Sequence, residues 1–199
     1  MIRNIMISPP EWNRSEILRY ARIQGAGEDF DSLIGECIAE AEPVLSYRVC
    51  YTVLPVRYEN GELFLGSIFA DSQTIKKAIR GAEEVLLFAA TIGAPFDRLI
   101  KRYSSISPSK AVILQAIGAE RAESLCDSFC SKMDTEMGER GKRLTPRVSP
   151  GYGDIDLTMQ RDIFAVLDCP RKIGLTLEES LLMSPSKSVT AIAGIISSQ

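Results

Sequence analysis

Six consecutive apolar residues, Val85-Leu86-Leu87-Phe88-Ala89-Ala90, constrain this chain more than any other stretch. An extended chain sends successive side chains to opposite faces, so a strand that is apolar at every position must be covered on both sides. The run is far too short to cross a bilayer. It predicts a strand over residues 83–92 inside a sheet with elements packed on both faces. Neighbouring strands are close at hand. Tyr47, Val49, Tyr51 and Val53 alternate with Arg48, Cys50 and Thr52, which predicts a strand over 47–57. Asn60-Gly61 is a strong hairpin signal; residues 63–65 supply the return strand, which 67–69 can prolong.

Helices must do the covering. Ser8-Pro9-Pro10 marks a break, Asn13 or Ser15 caps a helix through about residue 23, and Gly25-Ala26-Gly27 ends it. Residues 29–42 form a second helix with Phe30, Leu33, Ile34, Cys37, Ile38 and Ala41 inward and its acids solvated. Asp71 caps a short helix through residue 79, stopped by Gly81. Thr91-Ile92-Gly93-Ala94-Pro95 is a plain turn into a helix reaching about residue 103. Ser107-Pro108 then opens the longest helix, which runs to about residue 137, roughly 45 Å at 1.5 Å per residue. Leu114, Gly118, Ala122, Leu125, Phe129 and Met133 form its apolar stripe.

Arg121 falls at the edge of that stripe, where a charge needs a partner. Glu120 projects away from it and Glu123 lies on the other border. Cys126 and Cys130, four apart, read as core residues. Glu136, Glu139, Arg140, Lys142 and Arg143 close the helix. Arg140, Lys142, Arg143 and Arg147 either form a solvated turn or draw in an anionic ligand. Residues 157–167 form a short helix with Met159, Ile163, Phe164 and Leu167 inward, ended by Cys169-Pro170. Residues 173–183 and 188–196 read as an antiparallel pair of strands joined by Ser184-Pro185-Ser186-Lys187. The expected fold is one α/β (α+β) domain over 1–199. Helical residues 1–45 precede a body, 46–199, built on a central, mostly antiparallel, twisted sheet with one long supporting helix.

Composition narrows the function. The chain has 199 residues and a net charge of -3, with no basic excess that would suggest nucleic acid. Five cysteines without a regular framework and an N-terminus without signal-peptide features fit a cytoplasmic, membrane-free setting. There is no histidine. That excludes Ser-His-Asp and Cys-His nucleophilic sites, His-bearing zinc sites and imidazole ligation of cobalt or haem iron by this chain. Binding is favoured over self-contained catalysis, and no catalytic or metal-ligating set is expected.

Arg147-Val148-Ser149-Pro150-Gly151-Tyr152-Gly153-Asp154 is the candidate site. Glycines permit unusual backbone conformations and close approach, Pro150 stiffens the loop, and such a loop can aim free N–H groups at one point. Arg147 brings a planar fork suited to a carboxylate or phosphate, and Tyr152 a flat face with a hydroxyl. Together they suit a small ligand with an acidic end and a planar end. The plainer reading is a Pro-Gly turn before a helix.

Arg147-x-x-Pro150-Gly151-Tyr152 is followed by Gly174-Leu175-Thr176-Leu177-Glu178-Glu179-Ser180, then Met183-Ser184-Pro185 and Ser188-Val189-Thr190. In that order these pieces resemble the activation domain of cobalamin-dependent methionine synthase, in its short stand-alone, activation-domain-like form. Leu18-Arg19-Tyr20, Ala119-Glu120-Arg121-Ala122 and Thr91-Ile92-Gly93 are compatible with the same family. The resemblance implies S-adenosylmethionine binding and presentation of its methyl group to a cobalamin held by another protein, with electrons from an external, flavodoxin-like donor. It implies ligand contacts from Arg147, Ser149, Pro150, Gly151, Tyr152 and Gly153, and from an acid on the long helix, Glu123 or Glu120. The partner would be a methionine synthase or other corrinoid protein, met in trans. Past Tyr152 the chain departs from the family's Pro-Ala-Cys-Pro and downstream His, reading Gly153-Asp154-Ile155-Asp156. A docking module that gates a corrinoid protein without binding S-adenosylmethionine is the alternative. A free-standing methyltransferase is disfavoured, because the glycine-rich first βα loop of that fold is missing.

Overall fold

The computed structural model describes residues 1–23 and 28–198. Its organising strand is β5 (Glu84–Thr91), which lies between β2 (Arg48–Glu59) and β9 (Ser188–Ser197), antiparallel to both. Val85, Leu86, Leu87, Phe88 and Ala89 are fully buried and Ala90 is 1% exposed. The pleat deals them to two cores: Leu86, Phe88 and Ala90 to one face, Val85, Leu87 and Ala89 to the other. Fully burying a Leu or Phe side chain contributes about 1.5–3 kcal/mol, so this strand anchors both layers.

Seven antiparallel strands form the sheet. Its order is β4 (Ile68–Phe69), β3 (Glu62–Leu65), β2, β5, β9 and β6 (Lys142–Leu144), while β1 (Arg3–Met6) pairs with the first residues of β2. The β2–β3 hairpin turns at Asn60 and Gly61, whose φ angles of 53° and 86° are both positive, as a two-residue turn of the primed type requires. On one face pack α1 (Arg14–Ala21), α2 (Glu28–Ala41), α4 (Ala94–Ile106) and the 31-residue α5 (Pro108–Gly138). On the other lie α3 (Gln73–Ala78), α6 (Met159–Leu167) and α7 (Cys169–Ile173). Phe129 of α5 meets the rings of Tyr51 and Phe88 at 5.2 and 5.0 Å. No helix among the described residues is long and apolar enough to cross a membrane.

Several local expectations change. Residues 67–69 do not prolong β3; Gly66, at φ 61°, turns the chain back and β4 pairs with β3. Ser72 rather than Asp71 caps α3, its Oγ accepting from the Ile75 N–H at 3.1 Å. Cys169-Pro170 opens α7 instead of ending α6, because a proline in a first helical turn forfeits no hydrogen bond. The C-terminal pair does not form. Its first half makes a small two-stranded sheet of β7 (Thr176–Leu177) and β8 (Met183–Ser184), and β9 joins the central sheet between β5 and β6. Thr190, Ala191, Ile192 and Ala193 are at most 2% exposed, and a strand needing cover on both faces takes an interior position. Of the charges expected to close the long helix, Lys142 and Arg143 instead lie in the edge strand β6, and residues 1–45 contain β1 besides helices. Phe30, expected inward, is 42% exposed. Gly25-Ala26-Gly27 lies outside the described residues.

Candidate functional site

After β6 the chain stays strapped to β9. Thr145 donates its N–H to the Gly194 carbonyl, and Val148 and Ile192 exchange both backbone hydrogen bonds, each at 2.9 Å. This strap carries Arg147 over α5. There its Nη2 lies 2.7 Å from Glu123 Oε2 and its Nη1 2.5 Å from Asp127 Oδ1. Glu123 and Asp127 are one turn apart on one helix face. Burial works against the guanidinium charge, and the two carboxylates outweigh it, holding Arg147 above its ordinary pKa. One cation against two anions leaves the trio with a single net negative charge.

The loop beyond is tied down at its far end too. Gly151 N–H donates to Ile155 O at 2.9 Å, Tyr152 N–H to Ser149 O at 3.1 Å and Ile155 N–H to Tyr152 O at 3.1 Å. The Gly151 and Tyr152 N–H groups are therefore spent within the loop rather than aimed outward, contrary to the sequence expectation. Gly151 and Gly153 sit at φ 85° and 61°, and a Cβ on Gly153 would lie 2.6 Å from Thr74 Oγ1. The Asp154 carboxylate accepts from Ser72 Oγ at 2.6 Å, Gln73 N at 2.7 Å and Thr74 N at 3.0 Å. The hydrogen bonds from Ser72 and Thr74 hold its pKa well below the usual carboxylate range. Clamped between β9 and α3, the loop presents Tyr152, which is 67% exposed.

An open-sided cavity of about 380 Å³ lies between loop and helix, lined by Glu123, Pro146, Arg147, Val148, Ser149, Tyr152 and Val189. It brings together Glu123, Arg147, Ser149 and Tyr152 of the expected set. Pro150 is buried, and Gly151 and Gly153 shape the loop rather than line the cavity. Pro146 and Asp127 were not foreseen as site residues, though Asp127 was readable as the residue one turn beyond Glu123. Val189 belongs to the 188–196 strand, which the sequence allowed to lie beneath the loop and which does so here.

Of the two acids considered on the long helix, Glu120 is excluded. It is 1% exposed and does not project away from Arg121. Its carboxylate takes both Arg121 Nε and Nη2 at 2.5 Å. Arg121 also donates to the carbonyls of Pro10 and Glu11 at 2.7 and 2.6 Å, and its guanidinium stands 4.0 Å from the Trp12 ring centroid. This buried pair fastens the N-terminal segment to α5.

The model of the vitamin B12-dependent methionine synthase activation domain matches residues 68–198. The crystal structure of the MetH reactivation domain bound to AdoHcy shares the fold at a TM-score of 0.69 and 14% identity, covering 98% of this chain and 78% of that one. No curated protein matches this chain.

Proposed function

The chain belongs to the vitamin B12-dependent methionine synthase activation domain family, and from that premise we propose that it binds S-adenosylmethionine and supports reductive reactivation of a cobalamin held by a separate methionine synthase or corrinoid methyltransferase. The observation that carries this reading is the Glu123–Arg147–Tyr152 cavity. About 380 Å³ falls within the usual 300–1,000 Å³ of small-molecule sites, and its groups fit the ligand's parts. The Arg147 fork suits the methionyl carboxylate. Glu123, half exposed at the cavity wall, suits the cationic end. The Tyr152 face suits the adenine ring.

When bound, the ligand supplies a transferable methyl group; this chain's residues bind and orient it. No general acid or base is asked of them. The corrinoid protein, met in trans, and a flavodoxin-like electron donor complete the proposed system, with the cytoplasm as its setting and residues 1–199 acting as one activation-domain-like unit.

The engagement of Arg147 by two internal carboxylates favours one second reading: a docking module that gates a corrinoid protein and leaves the fork closed. Isothermal titration with S-adenosylmethionine and S-adenosylhomocysteine separates the two. Binding that Arg147→Ala weakens at least about tenfold, the loss of a charged hydrogen bond, supports the ligand site. No heat of binding up to millimolar ligand leaves the docking module.

A further inference from the structure

Cys50 and Cys169 are 119 positions apart in sequence, yet their Sγ atoms lie 3.9 Å from one another. Cys50 sits in β2 opposite Ala89 of β5, pointing into the core beneath α6 and α7. Cys169 opens α7 directly after Asp168, whose φ of 50° kinks the chain and turns the new helix onto the sheet. Both thiols are fully buried, and both are free. Buried cysteine usually packs as a small hydrophobe, which accounts for one such residue. Here two such thiols, one from β2 and one from α7, stand sulfur to sulfur.

We infer that Cys50 and Cys169 form an oxidative modification site, which a small peroxide converts to an intramolecular disulfide joining β2 to α7. The other cysteines are not arranged for this. Cys126 and Cys130 share one helix face, where Cβ atoms four residues apart stand about 5–6 Å from each other, against about 3.8 Å in a disulfide. Cys37 faces the Lys110 carbonyl. Burial pushes the Cys37 and Cys130 thiols up to about 11. The sulfur–sulfur contact holds Cys50 below its ordinary value, and either sulfur can attack while the other resolves.

With Cys50 as the attacker, its thiolate attacks one peroxide oxygen and the O–O bond breaks. A sulfenic acid remains on Cys50, and the departing hydroxide takes a proton to become water. Cys169 sulfur then attacks Cys50 sulfur, the S–O bond breaks, and the oxygen leaves as a second water carrying the Cys169 proton. Two thiols and one hydrogen peroxide give one disulfide and two waters: sulfur is oxidised and peroxide reduced. Because both thiols are fully buried, peroxide reaches them when α7 opens locally, and closing 3.9 Å to the bond length of about 2.05 Å uses side-chain rotation and the same shift of α7.

The test is hydrogen peroxide treatment of the reduced 199-residue chain, then alkylation in denaturant and non-reducing peptide mass spectrometry. The expected result is a loss of two hydrogens, with three of the five cysteines still alkylated. One cross-linked peptide pair should contain Cys50 and Cys169, and dithiothreitol should release it. Cys169→Ser should give no cross-link, and the wild-type map decides the question even if that variant does not fold. Five alkylated cysteines, a bond between any other pair, or thiol loss confined to over-oxidised Cys130 would each overturn the inference.

Discussion

Arg147 has two carboxylate partners, and they are not equivalent. Glu123 lines the cavity, while Asp127 grips the fork from a more exposed position. Asp127→Asn removes a competitor for the guanidinium, so S-adenosylmethionine affinity should rise about two- to fivefold, the worth of an exposed ion pair. On the proposed function, Glu123→Gln removes the carboxylate that would face the ligand's cation, so affinity should fall by titration calorimetry. The opposite signs distinguish an internal competitor from a ligand contact. A second residue-scale prediction concerns Gly153. At φ 61°, with Thr74 Oγ1 only 2.6 Å from a prospective Cβ, Gly153→Ala should lower unfolding free energy by about 1–2 kcal/mol, read from urea denaturation.

At the scale of elements, α5 holds three things in register: the sheet, the N-terminal segment and the cavity beside Arg147. Its link to the N-terminal segment is the Glu120–Arg121 pair under Trp12. Arg121→Ala leaves a carboxylate uncompensated in the interior, and a loss of about 3–5 kcal/mol is expected. Replacing both charges, Arg121→Met with Glu120→Leu, should recover more than half of that loss, because the desolvation cost disappears with the charges. Denaturant midpoints of the single and double variants check this. A double variant no better than Arg121→Ala would mean that the hydrogen bonds to Pro10 and Glu11 carry the effect instead.

For the whole molecule, the pH profile follows from its carboxylates and its lack of histidine. Asp154 (Ser72 and Thr74), Asp156 (Thr158), Glu16 (Arg19) and Glu40 (Tyr103, then Lys110) are all held below their ordinary pKa by hydrogen-bond partners. A depressed folded-state pKa means that the unfolded chain binds more protons, so this stability is present above about pH 4 and is lost as pH falls further. Thermal melts should therefore stay nearly flat from pH 8 to 6, where no imidazole titrates, and drop steeply below pH 4. Asp154→Asn should remove part of that drop. Much of the architecture was legible locally. The Val85-to-Ala90 run announced the central strand, Asn60-Gly61 the hairpin, and Ser107-Pro108 the start of α5. Periodicity, turn chemistry and helix starts are properties of neighbours in sequence, so the amino-acid order by itself determined them. It also determined which chemistry was open, through an arginine-bearing glycine loop and the absence of histidine. Tertiary structure alone decided who meets whom: β9 inserted beside β5, Arg147 on Glu123 and Asp127, Arg121 on Glu120 and the N-terminal carbonyls, and Cys50 against Cys169. Those pairings are set by which surfaces must leave water together, and residues far apart in the chain carry no local mark of that.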